Sequence, residues 1–249
     1  MSGHNKWANI RIRKTAQDAK RGKLFSKLIR EITVAAREGG PDPENNAALK
    51  VAVERARDAN MPKETIEKAI ARASGELGGE RLERVSYEGY GPFGVAVVVE
   101  TLTDNRNRTV AELRSTFQRH GGSLGEVGCV SWMFKKKGLV VADKNLPEEE
   151  ILEIALEGGA EDVKVEDDGY YIYSAPSALS RVREALLSAG VTIQSSQITM
   201  IADTTVRIEG ENEAGRLIRF LGALEELDDV QQVHANWEMS DKLLEKVAV

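Results

Sequence analysis

Between Lys23 and Glu38 the apolar residues Leu24, Phe25, Leu28, Ile29, Ile32, Ala35 and Ala36 recur at spacings of three and four, one face of an α-helix. Gly39-Gly40-Pro41 ends it. The same periodicity over 44–59, with Leu49, Ala52, Val53 and Ala56, predicts a second helix. Pro62 suits the first turn of a third, which carries Ile66, Ala69, Ile70 and Ala73. Three helices with one apolar face each can bury those faces against one another, so the first 75 residues read as a small helical domain. Gly75 to Gly79 reads as its linker.

Beyond the linker the pattern changes to short β-branched runs: "FGVAVVVETL" from Phe93, "CVSWMF" from Cys129, "GLVVAD" from Gly138, "DVKV" from Asp162, "YYIY" from Tyr170, "TIQSSQITMI" from Thr192, "TTVRI" from Thr204 and "DVQQVHANWEM" from Asp229. Helical periodicity separates them near 109–120, 147–157, 176–189 and 211–225. This order parses as two ferredoxin-like β-α-β-β-α-β units, one inserted in the other. The predicted fold class is α+β with three domains: an all-helical N-terminal domain with linker (1–79), an outer ferredoxin-like α/β domain (80–137 plus 202–240) and an inserted ferredoxin-like α/β domain (138–201). Residues 241–249 form a C-terminal tail.

Charge changes this picture. The chain has 249 residues and a net charge of −6. Residues 1–75 hold 16 Lys and Arg against 9 Asp and Glu, net +7; the remainder holds 18 against 31, net −13. A polyanion attracts the first part and repels the second. Within 6–30 there are nine bases and one acid, Asp18. Neutralised phosphates release condensed counterions, so Lys6, Arg11, Arg13, Lys14, Lys20, Arg21, Lys23, Lys27 and Arg30 are the candidate nucleic-acid contacts. Trp7 sits among them, placed either to stack on an unpaired base or to anchor the N-terminus on the helical core.

Other motifs carry less chemistry. "GYGPFG" from Gly89 matches G-x-G-x-x-G but precedes a strand instead of opening a helix, so it is read as a tight turn and no dinucleotide cofactor is expected. In "TDNRNRTVAE", Thr109 and Glu112 have capping-box spacing, which would leave Arg106 and Arg108 on a loop at a helix start. There they are either anion contacts or surface arginines of a polar turn. "GYYIY" from Gly169 has the texture of an RNA-binding aromatic strand, yet Glu166, Asp167 and Asp168 beside it favour simple strand packing. One cysteine and three dispersed histidines offer no disulfide and no metal cage. No nucleophile elbow, zinc-protease helix or P-loop occurs, so no catalytic residue, cofactor or enzyme activity is expected. No run approaches the roughly 18 apolar residues of a membrane span, and no apolar stretch follows the basic N-terminus; a cytoplasmic protein is expected.

"GHNKWANIRIRKTAQDAKRGKLFSKLIREITVAAREGG", "ANMPKETIEKAI" and "YEGYGPFGVAVVVETLTDNRNRTVAELRSTFQRHGGSLGEVGCVSWMFKKKG" resemble the YebC family of bacterial proteins, related to mitochondrial translational activators of cytochrome c oxidase. Asn5 and Ile12 stand where that family is expected to carry a small hydroxyl residue and a histidine, and Phe93 where a glycine is expected. The resemblance implies a helical domain followed by two α/β domains, and a non-enzymatic cytoplasmic regulator of gene expression. Its partner would be DNA, as a transcriptional regulator, or ribosomal RNA and the ribosome, as a translation factor assisting proline-rich stretches. The acidic α/β domains would face solvent or a protein partner.

Overall fold

The computed structural model describes residues 18–74 and 82–247, with the side chains of 18–21 and 74 left aside. By contacts along the chain it separates into two compact units, one holding Gly22–Gly78 with Lys136–Met200 and the other Gly79–Lys135 with Ile201–Val249. The helical and inserted segments, read as separate domains in the sequence, therefore share one unit.

In that unit the helices are α1 (Asp18–Gly39), α2 (Ala47–Asp58) and α3 (Lys63–Ser74). Leu28, Ile32, Ala35 and Ala36 of α1 meet Leu49, Ala52, Val53 and Ala56 of α2, with Met61, Ile66 and Ala69 completing the core. Asn46 joins the first two helices. Its Oδ1 caps α2 by accepting from Leu49 N at 3.1 Å, while its Nδ2 donates to the carbonyls of Ala35 (2.8 Å) and Gly40 (2.9 Å). Gly40 takes φ +92°, a conformation that suits glycine, and closes α1.

The inserted segment runs β4 (Phe134–Ala142), α5 (Glu148–Gly158), β5 (Ala160–Glu166), β6 (Gly169–Ser174), α6 (Leu179–Ser188) and β7 (Ile193–Ala202), the three strands before it in the chain belonging to the other unit. Its sheet order is β5-β6-β4-β7, the ferredoxin arrangement, with β6 antiparallel to both β4 and β5. Val140, Ile172, Ile151, Ala155, Leu179, Val182 and Leu186 form its core, against which Val51 of α2 also packs. Polar contacts extend that packing: Arg183 pairs with Asp58 at 2.7 Å and Lys50 with Glu184 at 2.8 Å. Burial pushes the Glu54 and Asp58 carboxyls above their ordinary range, against the pull of Arg183.

The second unit has β1 (Glu83–Tyr90), β2 (Ala96–Thr103), α4 (Arg106–Arg119), β3 (Ser123–Leu124), β8 (Val206–Arg207), α7 (Glu211–Glu225), β9 (Val230–Ala235), β10 (Trp237–Glu238) and α8 (Asp241–Val247). Its main sheet has the order β3-β1-β2-β9. Val97, Val99, Leu113, Phe117, Leu217, Phe220, Leu224 and Val233 fill its core, Phe117 and Phe220 meeting edge to face at 5.0 Å.

Here the structure corrects the sequence parse. β1, unread in the sequence, pairs antiparallel with β2 and with β3, and so occupies the place that the third strand of a ferredoxin unit would take. Its burial is patchy, so it lacks a clean apolar alternation. The segment from Cys129 is no strand of this sheet: Ser131–Met133 form a 3-10 turn and β4 begins at Phe134. β8 pairs instead with β10, in parallel.

Candidate nucleic-acid interface

α1 spans 22 residues, about 33 Å at 1.5 Å per residue. Lys23, Lys27 and Arg30, spaced by four and three, share a side of this helix away from Leu28, Ile32 and Ala35, and all three are half-buried. Lys20 and Arg21 lie in its first turn. Lys6, Trp7, Arg11, Arg13 and Lys14 fall outside the described residues. On α3 four of the five charges neutralise one another in i,i+4 pairs, Lys63 with Glu67 at 3.6 Å and Lys68 with Glu64 at 2.6 Å, and Arg72 is exposed in the last turn. Such a face has little net attraction for phosphate.

Arg106 and Arg108 occupy a different setting from the one expected. Asn105 caps α4, its Oδ1 accepting from Arg108 N at 3.1 Å, so the helix starts three residues before Thr109 and both arginines belong to its first turn, not to a loop. Thr109 is no cap. It is buried and donates its hydroxyl to Asp229 at 2.7 Å. Arg106 pairs with Glu83 at 2.6 Å; Arg108 binds Asp104 at 2.7 Å and both oxygens of Asp229 at 2.8 and 3.0 Å. These carboxylates raise the pKa of the Arg108 guanidinium still further, first through the hydrogen bonds to Asp229. Both arginines thus have carboxylate partners, which makes them parts of the scaffold.

The "GYYIY" strand is β6, at the middle of its sheet and buried at every position. Tyr170 donates its hydroxyl to Leu146 O and Tyr171 to Asp168, so these rings pack and present no open platform. "GYGPFG" forms the end of β1 and a 3-10 turn into β2, closed by Gly91 N donating to Val95 O at 2.8 Å. Phe93 in that turn has φ +64°, which explains why glycine is the residue expected there.

One feature escaped the sequence reading. The Glu88 carboxylate is buried and accepts from three backbone N–H groups, those of Gly128 (2.9 Å), Val130 (2.9 Å) and Ser131 (2.8 Å). Burial alone would raise its pKa, but these donors outweigh burial and hold it below the ordinary carboxylate range. No motif signals this, because the donors are backbone atoms some forty positions away. Among the described residues no cluster of His, Cys, Asp and Glu is arranged to hold a metal, and no helix is long and apolar enough to cross a membrane.

The fold defines a class: an α+β protein in which a helical segment precedes two sheet-containing segments. Residues 5–76 match the family described as TACO1/YebC protein N-terminal domain, and 82–237 match that described as TACO1/YebC second and third domain. The chain belongs to the TACO1/YebC family. A relative from Pelotomaculum thermopropionicum is 54% identical over 97% of this chain and 100% of its own length. One from Geobacter sulfurreducens is 53% identical over 99% and 100%. Both are named probable transcriptional regulatory proteins. The crystal structure of a conserved hypothetical protein from Aquifex aeolicus, 54% identical, superposes with a TM-score of 0.81 over 90% of this chain and 93% of that one.

Proposed function

We propose that the protein is a non-enzymatic, nucleic-acid-binding regulator of gene expression acting in the cytoplasm. The observation that carries this reading is the gathering of nine bases and one acid within residues 6–30 of a chain whose net charge is −6. α1 continues that basic stretch with Lys23, Lys27 and Arg30 on a side away from its core residues. Cations so placed bind phosphate by counterion release and position the protein without reading sequence. The names of the relatives support transcriptional regulation through DNA. The acidic surfaces of the remaining chain are open to solvent or to a protein partner.

A second reading, an RNA- or ribosome-associated translation factor that assists proline-rich synthesis, is favoured by α3. Its outward face is largely neutralised by its own i,i+4 pairs and so is poorly suited to enter a duplex groove as a base-reading helix, which leaves phosphate contact to α1, and contact with backbone and shape is how structured RNA is recognised. Competition binding of the intact protein to duplex DNA and to ribosomal RNA across a salt series separates the two. Each phosphate engaged adds about 0.9 to the log–log salt slope for duplex and about 0.7 for single strands. Preference for ribosomal RNA near physiological salt selects the translation reading, preference for one duplex over random DNA selects the transcriptional one, and binding to neither overturns both.

A further inference from the structure

The acidic unit formed by β1 to β3, α4 and β8 to α8 carries a concentration of positive charge that its composition conceals. Arg119 and His120 end α4, and Arg216 and Arg219 lie one turn apart on α7, with all three arginines exposed. These groups are close together. Arg119 and Arg219 both depress the ionisation of His120, after burial, and a Cβ on Gly121 would lie 3.6 Å from the Arg216 guanidinium. The Arg216 guanidinium covers the Phe93 ring at 5.2 Å. Among the described residues Arg119 bonds within its own helix, to Ser115 O and Thr116 Oγ1. Among the described residues no carboxylate pairs with Arg119, Arg216 or Arg219, although Glu112 and Glu213 share their helices.

Exposed aromatic rings stand at the same end of the sheet. Tyr90 ends β1, immediately before the turn that holds Phe93; Gly91 in that turn lies against the Phe220 ring of α7, and Gly122 after α4 lies against Tyr90 O. The Tyr90 hydroxyl and the Trp132 indole N–H both donate to Cys129 O, at 3.5 and 3.2 Å. Trp132 is 72% exposed, Tyr90 39% and Phe93 37%. The turn bearing Trp132 is not loose: Glu88 grips it through Gly128, Val130 and Ser131 N–H. A rigidly held, exposed tryptophan costs little further ordering when a ligand covers it.

We propose that this end of the outer sheet is a second nucleic-acid contact, a single-strand platform on which Trp132 and Tyr90 take unpaired bases while Arg119, Arg216, held over the Phe93 ring, and Arg219 take phosphates. Flat rings require unpaired bases, since duplex bases are covered by their neighbours. An acidic peptide would satisfy the arginines but would leave the ring faces unused. The proposal rests on the nucleic-acid reading above and adds a site that reading did not include.

The test uses the intact protein carrying Trp7→Phe. Trp132 then reports on the platform, because the remaining tryptophan, Trp237, is fully buried. Titration with oligouridylate should quench Trp132 fluorescence. Arg216→Gln with Arg219→Gln should lower the salt slope of binding by about 1.4, two phosphates at about 0.7 each. In fluorescence anisotropy with a labelled oligouridylate, Trp132→Leu should weaken binding about tenfold, the loss of one stacked base. These positions are exposed, and thermal unfolding of each variant checks folding. Unquenched Trp132 with unchanged binding in the variants, while charge reversal at Lys20, Arg21 and Lys23 abolishes binding, overturns the platform and leaves the proposed function intact. Displacement of oligouridylate by polyglutamate with equal quenching overturns it in favour of an acidic protein segment. Absence of binding to any nucleic acid removes both.

Discussion

Arg108 in the first turn of α4 donates to both carboxylate oxygens of Asp229, the residue that leads into β9, 121 positions further along the chain. Asp229 also accepts the hydroxyls of Thr103 and Thr109, and its own carbonyl accepts from Leu102 N at 2.8 Å. One carboxylate therefore ties the end of β2, the start of α4 and the start of β9. Asp229→Ala removes the acceptor of the buried Thr103 hydroxyl, takes the shortest acceptor from Thr109 and strands the Arg108 guanidinium, and should cost about 3 kcal/mol in urea denaturation. Arg108→Gln should cost much less, because a half-exposed guanidinium can be replaced by water. Equal losses for the two variants would contradict this account.

The Glu88 cradle makes a pH prediction. A carboxyl whose folded pKa lies below its unfolded value contributes stability that is present above the unfolded value, about 4.5 here, and is lost as pH falls through the folded one. Glu88→Gln should destabilise the protein by about 2 kcal/mol at neutral pH, through loss of charge-assisted hydrogen bonds to backbone N–H. Its unfolding should also vary less with pH in the acid range than that of the parent. Glu54 and Asp58 act with the opposite sign. Their raised pKa values mean that lowering the pH through them relieves a cost of burial, so Glu54→Gln should make the acid-side loss steeper. Chemical denaturation at a series of pH values checks both slopes.

Phe93 carries backbone strain and a ring contact at once. A non-glycine residue at φ +64° costs about 1–2 kcal/mol, partly offset by the cation–π contact with Arg216. Phe93→Ala keeps the strain and loses the ring, so its melting temperature should fall. Phe93→Gly loses the ring but also the strain and should stay near the parent. An alanine variant at least as stable as the glycine variant would show that the turn is unstrained.

Reversing charge at Lys20, Arg21 and Lys23 to Glu should abolish binding to duplex DNA and ribosomal RNA while a cooperative melting transition is kept, so that lost binding is not lost folding. Filter binding beside differential scanning calorimetry makes the comparison. Normal binding would remove the basic arm from the proposed function.

Elements with a strong period were legible. The stripe Leu28, Ile32, Ala35 in α1 and the run Ala96–Thr103 in β2 follow directly from apolar spacing, as does the order of the inserted ferredoxin-like segment, whose strands and helices alternate locally. β1 was missed because a strand with patchy burial has no clean alternation, and the capping-box spacing at Thr109 misled because Asn105, four residues earlier, is an equally good cap. The candidate site divides in the same way. The basic arm is visible as a run of charge, whereas no local pattern links Tyr90, His120, Trp132 and Arg216.

Periodicity and charge are local properties of a chain, so the amino-acid order alone determined the α+β class, the helical start and the polarity between a basic beginning and an acidic remainder. Which cations are spent on carboxylates is a question of distances between residues far apart in sequence. Folding decided that Arg106 and Arg108 close ion pairs with Glu83 and Asp229, and that Arg216 and Arg219 meet no carboxylate among the described residues. It also placed the Glu88 carboxylate under the backbone that holds up Trp132, because a buried charge must find its donors wherever the fold brings them.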